Sequence, residues 1–151
     1  MADATAVQSP VGNFIFQLKL ADIDPASFFA EISGISTENQ VIEHTSAGAN
    51  GKPIPQRFAG QVKWANIVLK RGVDKDLSLW KWRQAILNGE IDSKRQNGTI
   101  SVLDQTAAVV VIYSFIRAWP CKYSSPGLNA GGNEILVEEL ELAHEGFVRT
   151  Q

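Results

Sequence analysis

The chain has 151 residues, 44% hydrophobic and 20% charged, with a formal net charge of −2 and a pI near 5.7. This is the composition of an ordinary globular chain, long enough to bury roughly two-thirds of its unfolded surface without staples, and it argues against a dedicated nucleic-acid binder, which would carry a basic stripe. The single cysteine, Cys121, excludes an intrachain disulfide and a multi-cysteine zinc site, and no apolar run reaches the ~20 residues that span a bilayer.

Residues 1–12 are small and polar, with Pro10 and Gly12, and read as an N-terminal arm. Their early acidic residue and missing basic segment do not fit a secretory signal. Phe14, Phe16, Leu18 and Leu20 alternate with Gln17 and Lys19, the period of a strand. A turn over 21–25 leads to a second strand at 28–32, closed by Ser33-Gly34. A third covers 38–44, with Val41 and Glu43 opposite Ile42 and His44. Residues 45–61 then break the pattern. Gly48, Gly51, Pro53, Pro55 and Gly60, with little apolar content, read as a long Gly/Pro loop. Loops of that length in compact domains are usually functional or disordered. Residues 62–71 read as a strand with Ala65, Ile67 and Leu69 on one face.

The stretch 74–88 is the one convincing helix, with Asp74 as N-cap, Asp76 near the positive end and Gly89 as the stop. Leu79, Trp82 and Ile86 cluster on it, Trp80 and Leu87 lie further round, and Arg83 falls between. So broad an apolar arc exceeds one sheet contact and points to another subunit on part of it. Asn97-Gly98 reads as a turn, followed by a short strand at 99–103 and a long one at 107–120 ended by Pro120. A loop rich in turn formers joins it to a closing strand, 134–144. There Leu136, Leu140 and Leu142 fall on one face, and Ile135, Val137, Glu139 and Glu141 on the other. The expectation is a single, mainly β domain over 1–151: a small antiparallel β-barrel or sandwich of about seven strands with one flanking α-helix.

The chemical motifs are weak. Cys121 could act as a nucleophile with His44 or His144 as base, but nothing local supplies an orienting group, and a lone cysteine after a strand is more often a packing residue. His144-Glu145 has no second histidine at zincin spacing, and the glycines at 127–132 lack a phosphate-loop ending. Asn97-Gly98-Thr99 fits a glycosylation sequon and a tight turn equally. Glu138, Glu139, Glu141 and Glu145 read as a solvated strand face, and the four tryptophans as core or interface anchors. The expectation is therefore no enzyme, cofactor or metal. The unusual features are architectural and point to contacts between copies of the chain.

Several segments together resemble one family. They are 14–20 with 28–35 (Phe-Phe-Ala-Glu-Ile-Ser-Gly-Ile), 41–44 before the Gly/Pro loop, 67–72 (Ile-Val-Leu-Lys-Arg-Gly) and 79–82 (Leu-Trp-Lys-Trp). To these are added 118–123 (Ala-Trp-Pro-Cys-Lys-Tyr), 128–134 and 138–146 (Glu-Glu-Leu-Glu-Leu-Ala-His-Glu-Gly). In that order, over nearly the whole chain, they resemble the tail-tube proteins of contractile phages and phage-like injection systems, related to the tube proteins of type VI secretion. The tip 47–52 departs from the Tyr-Arg-Glu-Gly type of sequence common after the third strand in that family.

The resemblance implies a β-barrel subunit forming hexameric rings stacked into a hollow tube inside a contractile sheath. It implies the sheath protein, baseplate or spike and tube-terminating proteins as partners, and protein effector or DNA as cargo. It also implies synthesis in the bacterial cytoplasm before assembly into a phage tail or extracellular particle. By analogy, the ring and neighbour contacts fall on Val7 and Pro10 of the arm and on His44, Ala47, Gly48, Asn50, Lys52, Pro53 and Pro55 of the loop. Trp80, Arg83 and Leu87 of the helix and Leu128 and Asn129 complete the set. A soluble secreted or adaptor protein on the same barrel, binding a partner without forming tubes, is the competing expectation.

Overall fold

The computed structural model describes residues 14–23, 28–73, 75–125, 130–132 and 136–151. Within them, β1 (Ile15–Leu20), β2 (Phe28–Phe29), β3 (Glu31–Ser33), β4 (Thr37–Ala47), β5 (Pro53–Trp64) and β6 (Ile67–Gly72) precede the helix α1 (Ser78–Leu87). A 3-10 turn at Asp92–Lys94 leads to β7 (Gln96–Leu103), β8 (Val109–Ser124), β9 (Val137–Ala143) and β10 (Phe147–Arg149). All the pairings are antiparallel.

One sheet runs β2-β1-β7-β8-β9-β6-β3, with β10 added on β8. Its two ends are the same stretch of chain. β2 pairs with β1, β3 pairs with β6, and the Ala30 N–H between them donates to Lys70 O at 2.9 Å. The sheet thus closes into a barrel, and closure removes the exposed edges. Alternating residues of these strands fill it: Leu18, Ile67, Leu69, Ile100, Phe115, Leu140 and Leu142, all essentially solvent-free.

Helix α1 lies against β8 and supplies Leu79, Trp82 and Ile86 to the buried surface. The Trp82 indole N–H donates to Lys94 O at 2.7 Å. The helix starts later than its sequence implies, at Ser78, and Asp74 lies outside the described residues. Asp76 does the work at the positive end. Its carboxylate accepts the Ser78 N–H at 3.0 Å and the Ser78 hydroxyl at 2.8 Å.

Several expectations need correction. The second strand divides at Ala30 into β2 and β3 because its halves serve opposite sides of the barrel seam. Residues 62–71 are two strands, broken at Ala65-Asn66. Asn97-Gly98 is no turn: it lies inside β7 at a bulge, with Ile116 and Arg117 opposite Asn97. Asn97 Oδ1 accepts the Arg117 N–H at 2.9 Å, and Arg117 takes φ 50. A Cβ on Gly98 would lie 2.6 Å from both Lys19 O and Phe115 Cζ, so the strand needs glycine for close approach. Pro120 does not end β8. It sits beside a second bulge, between Pro120 and Lys122, where a missing N–H costs the ladder little. Ten strands are present among the described residues, not seven. The largest correction concerns the Gly/Pro stretch.

Candidate functional site

Residues 45–61 are not an irregular loop. They form most of a long β-hairpin, β4 and β5, which is a sheet of its own. The turn is confined to 48–52. Gly51 N–H donates to Gly48 O at 3.0 Å, Gly48 N–H donates to Lys52 O at 2.8 Å, and Gly51 takes φ +73. This is the three-residue hairpin loop whose bulge position calls for glycine. A Cβ on Gly48 would meet Ile54 Cδ1 at 2.8 Å.

The Gly48–Lys52 bond sets the phase of the ladder. Pairs alternate between bonded and non-bonded in an antiparallel ribbon. Hence Ala47↔Pro53 and Thr45↔Pro55 are non-bonded pairs, and both prolines turn their nitrogens away from β4. The prolines therefore fit a strand while stripping donors from the outer edge of β5. The corresponding edge of β4 keeps its donors at Thr45 and Ala47.

Almost nothing covers the hairpin. Every residue of β4 and β5 is exposed except Ser46 and Gly60, which are half-buried. One face carries Ile42 beside Phe58, then His44 beside Gln56, then Ser46 beside Ile54. The other carries Val41 beside Ala59 and the exposed ion pair of Glu43 with Arg57 at 3.5 Å. Val41, Ile42, Ile54 and Phe58 are 52, 50, 48 and 52% exposed. An isolated two-stranded ribbon is marginal in water, and open apolar side chains on both faces mark a surface made to be covered.

A second exposed apolar region lies on the outer side of α1, where Leu77, Trp80 and Leu87 are open. Trp80 meets Tyr123 edge-on, with centroids 5.1 Å apart. Arg83, expected at a subunit contact, is half-buried, and its Nη1 donates to Pro120 O at 3.1 Å.

The family model of the T4-like virus tail tube protein gp19 matches residues 12–148. The chain belongs to this tail tube family. It is similar to a chain in the cryo-EM structure of the anti-feeding prophage tube-terminating cap, with 25% identity, covering 98% of this chain and 95% of that one, TM-score 0.79. It is similar to a chain in the six-fold symmetrised baseplate of the anti-feeding prophage, with 26% identity, covering 93% and 95%, TM-score 0.72. It shares its fold with a chain of the sheath–tube complex of an extracellular contractile injection system in the extended state, at 23% identity, covering 97% and 93%, TM-score 0.74. No curated protein matches the sequence. Among the described residues, no helix is long and apolar enough to cross a membrane.

In this tail tube chain, His44, Ala47, Gly48, Asn50, Lys52, Pro53 and Pro55 fall together on the distal hairpin, and Trp80 and Leu87 on the outer helix. Val7, Pro10, Leu128 and Asn129 lie outside the described residues. The Cys121 thiol donates to Glu141 O at 3.4 Å, and burial, then the Glu141 charge, push it away from thiolate. Neither histidine is bonded to it. Among the described residues no three metal-ligating side chains converge.

The sequence reading missed one polar centre. Arg71, buried, pairs with the buried Glu138 and reaches Asp76, with Nη1 3.5 Å from its carboxylate. The Tyr123 hydroxyl donates to Glu138 at 2.8 Å, and burial followed by that carboxylate raises its pKa. Glu138 shares the strand face of Leu140 and Leu142, and that parity was the available signal.

Proposed function

We propose that this chain is the repeating subunit of the inner tube of a contractile injection particle. Six copies form a ring, rings stack into a hollow tube, and contraction of a surrounding sheath drives the tube into a target cell with its cargo of protein or DNA. The observation that carries this reading is the hairpin: a ribbon of 11- and 12-residue strands, exposed on both faces, with apolar side chains that its own barrel leaves open. A head-to-tail contact that closes by rotation makes a ring, and a projecting hairpin covered by the next copy supplies such a contact.

Two further surfaces suit the same role. The outer helix stripe of Trp80 and Leu87 offers a contact to a neighbour or sheath. The N-terminal arm with Val7 and Pro10, and the loop with Leu128 and Asn129, are assigned to neighbouring copies as well. The relatives solved with a sheath–tube complex, a baseplate and a tube-terminating cap support a sheath protein, a baseplate or spike and a terminator as partners. Their six-fold baseplate supports the ring number. Synthesis in the bacterial cytoplasm precedes assembly. The competing reading, a soluble adaptor on the same barrel, is less favoured because both hairpin faces and the outer helix are open at once.

Imaging purified particles by cryo-EM tests the proposal. The innermost cylinder should fit this chain in six-fold rings, with the hairpin covered. A cylinder built of another polypeptide overturns it.

A further inference from the structure

The direction in which the hairpin leaves the barrel rests on few contacts. Apart from Trp64 at the foot of β5, β4 and β5 pack on each other and make little contact with another strand or with α1. At ~3.3 Å per residue the arms reach about 35 Å, so a tilt of about 10° at the root moves the tip by about 6 Å, more than one inter-strand spacing. Whatever fixes the root fixes where the tip meets a neighbour.

The root is the stretch Trp64 to Asn66. Ala65 N–H donates to Ser36 O at 3.2 Å. The Trp64 ring stands edge-on to Phe147 at 5.2 Å and lies over the β9–β10 turn, where a Cβ on Gly146 would come within 3.3 Å of it. Asn66 donates to the Glu141 carboxylate at 2.8 Å. Between root and turn sits His144. Its Nε2 is 2.8 Å from Ala65 O, and its Nδ1 accepts the Gly146 N–H at 3.1 Å. An N–H pointing at Nδ1 makes that atom the acceptor, so the ring proton resides on Nε2 and is donated to the Ala65 carbonyl. The neutral ring thus bridges the last hairpin residues to a turn of the barrel. The charges around it are Glu145 of the same turn, held by Arg95 and Arg117, and Glu141 of β9, engaged by Asn66.

We propose that His144 is the positioning residue of the hairpin: by tying Ala65 to Gly146 it sets the angle at which the ribbon projects, and with it the geometry of contact with a second copy. The consequence for assembly rests on the hairpin role proposed above; the angle itself does not. His144 acts on the hairpin through Ala65 and Trp64.

Three variants separate its bonds. His144→Phe keeps a ring against Trp64 and Phe147 but loses both hydrogen bonds. His144→Gln retains a group that can reach Ala65 O, and His144→Asn one at the Nδ1 position. In a Cys121→Ser background, spin labels at Asn50→Cys and Lys81→Cys report the tip-to-barrel distance of the full-length subunit. A single narrow distribution is expected for the parent and one about twice as broad for His144→Phe, with Gln and Asn intermediate. Particle yield on complementation should fall about tenfold for His144→Phe, the scale of one or two lost hydrogen bonds.

An unchanged distance distribution in His144→Phe overturns the proposal whatever the particles do. A broadened distribution with normal particle yield also overturns it, because the angle would then not govern assembly. If His144→Phe does not fold, the ring ¹⁵N shifts of the parent decide. Nδ1 as the unprotonated nitrogen at neutral pH upholds the bridge, and a protonated Nδ1 refutes it. Failure of the tube role itself is read separately, from the innermost cylinder of imaged particles.

Discussion

At the residue scale, the centre of gravity is the ion-pair network under the helix N-terminus. Arg71 gathers Glu138 from β9, Asp76 before α1 and the ring of Phe29, whose centroid lies 5.9 Å from its guanidinium. Three parts of the chain are pinned by one side chain. Removing Glu138 takes from the buried guanidinium the nearer of its two carboxylates and from the Tyr123 hydroxyl its acceptor, and breaking a buried pair costs about 3–5 kcal/mol. Glu138→Ala should therefore lower the unfolding free energy by about that amount in denaturant titration, and a loss under ~1 kcal/mol would show that Arg71 finds other partners. Asp76 adds a pH dependence. Its carboxyl is held below the ordinary 3.8 by the Ser78 N–H first, against a smaller opposing effect of burial, then by the Ser78 hydroxyl and Arg71. A depressed folded-state pKa contributes stability above the unfolded value and loses it as pH falls through the folded one. Asp76→Asn should thus be less stable than the parent at neutral pH, and the gap should close as pH drops below 3.8. A gap that persists unchanged at pH 2, read by thermal melts across the series, would contradict this.

At the element scale, the barrel and the helix were largely legible and the hairpin was not, for a physical reason. Phe16, Leu18 and Leu20, or Leu140 and Leu142, announce strands because one face is buried and the alternation follows. β4 and β5 have no buried face, so beyond the strand read at 38–44 glycines and prolines intervene without alternation, and 45–61 reads as loop. The Asn97-Gly98 bulge was read as a turn because both need the same residues. Pro120 was read as a strand end because a bulge that excuses a proline is a property of the pairing, invisible in one strand. The contacts assigned by resemblance were named as residues and not as an arrangement: half of them fall on the hairpin, whose form only the fold reveals. The exposure of that element yields a sharp expectation. Phe58→Glu or Ile42→Asp removes nothing from the barrel core, so unfolding of the isolated subunit should shift by no more than ~0.5 kcal/mol, while tubes in purified particles should be lost. A variant that destabilises the subunit by several kcal/mol would mean that the hairpin packs on its own barrel.

At the scale of the whole molecule, the barrel and its hairpin have opposite needs. The barrel closes its edges and fills its interior with Leu18, Ile67, Ile100 and Phe115. The hairpin and the Leu77–Trp80–Leu87 stripe leave apolar surface in water among the described residues, and the tube role proposed above covers it with a second copy. Stability of the whole should therefore depend on subunit concentration, as for any chain whose folded form binds its own copies. Free subunit at a hundredfold excess over its dissociation constant adds about 2.7 kcal/mol. For a chain of this size that is about 5–11 °C in midpoint temperature. Calorimetry over a dilution series spanning the onset of ring formation should show a rise of this order, absent in Phe58→Glu. A midpoint constant across that range, with rings present in the concentrated samples, would mean that assembly does not bury the hairpin and that its apolar faces serve another partner.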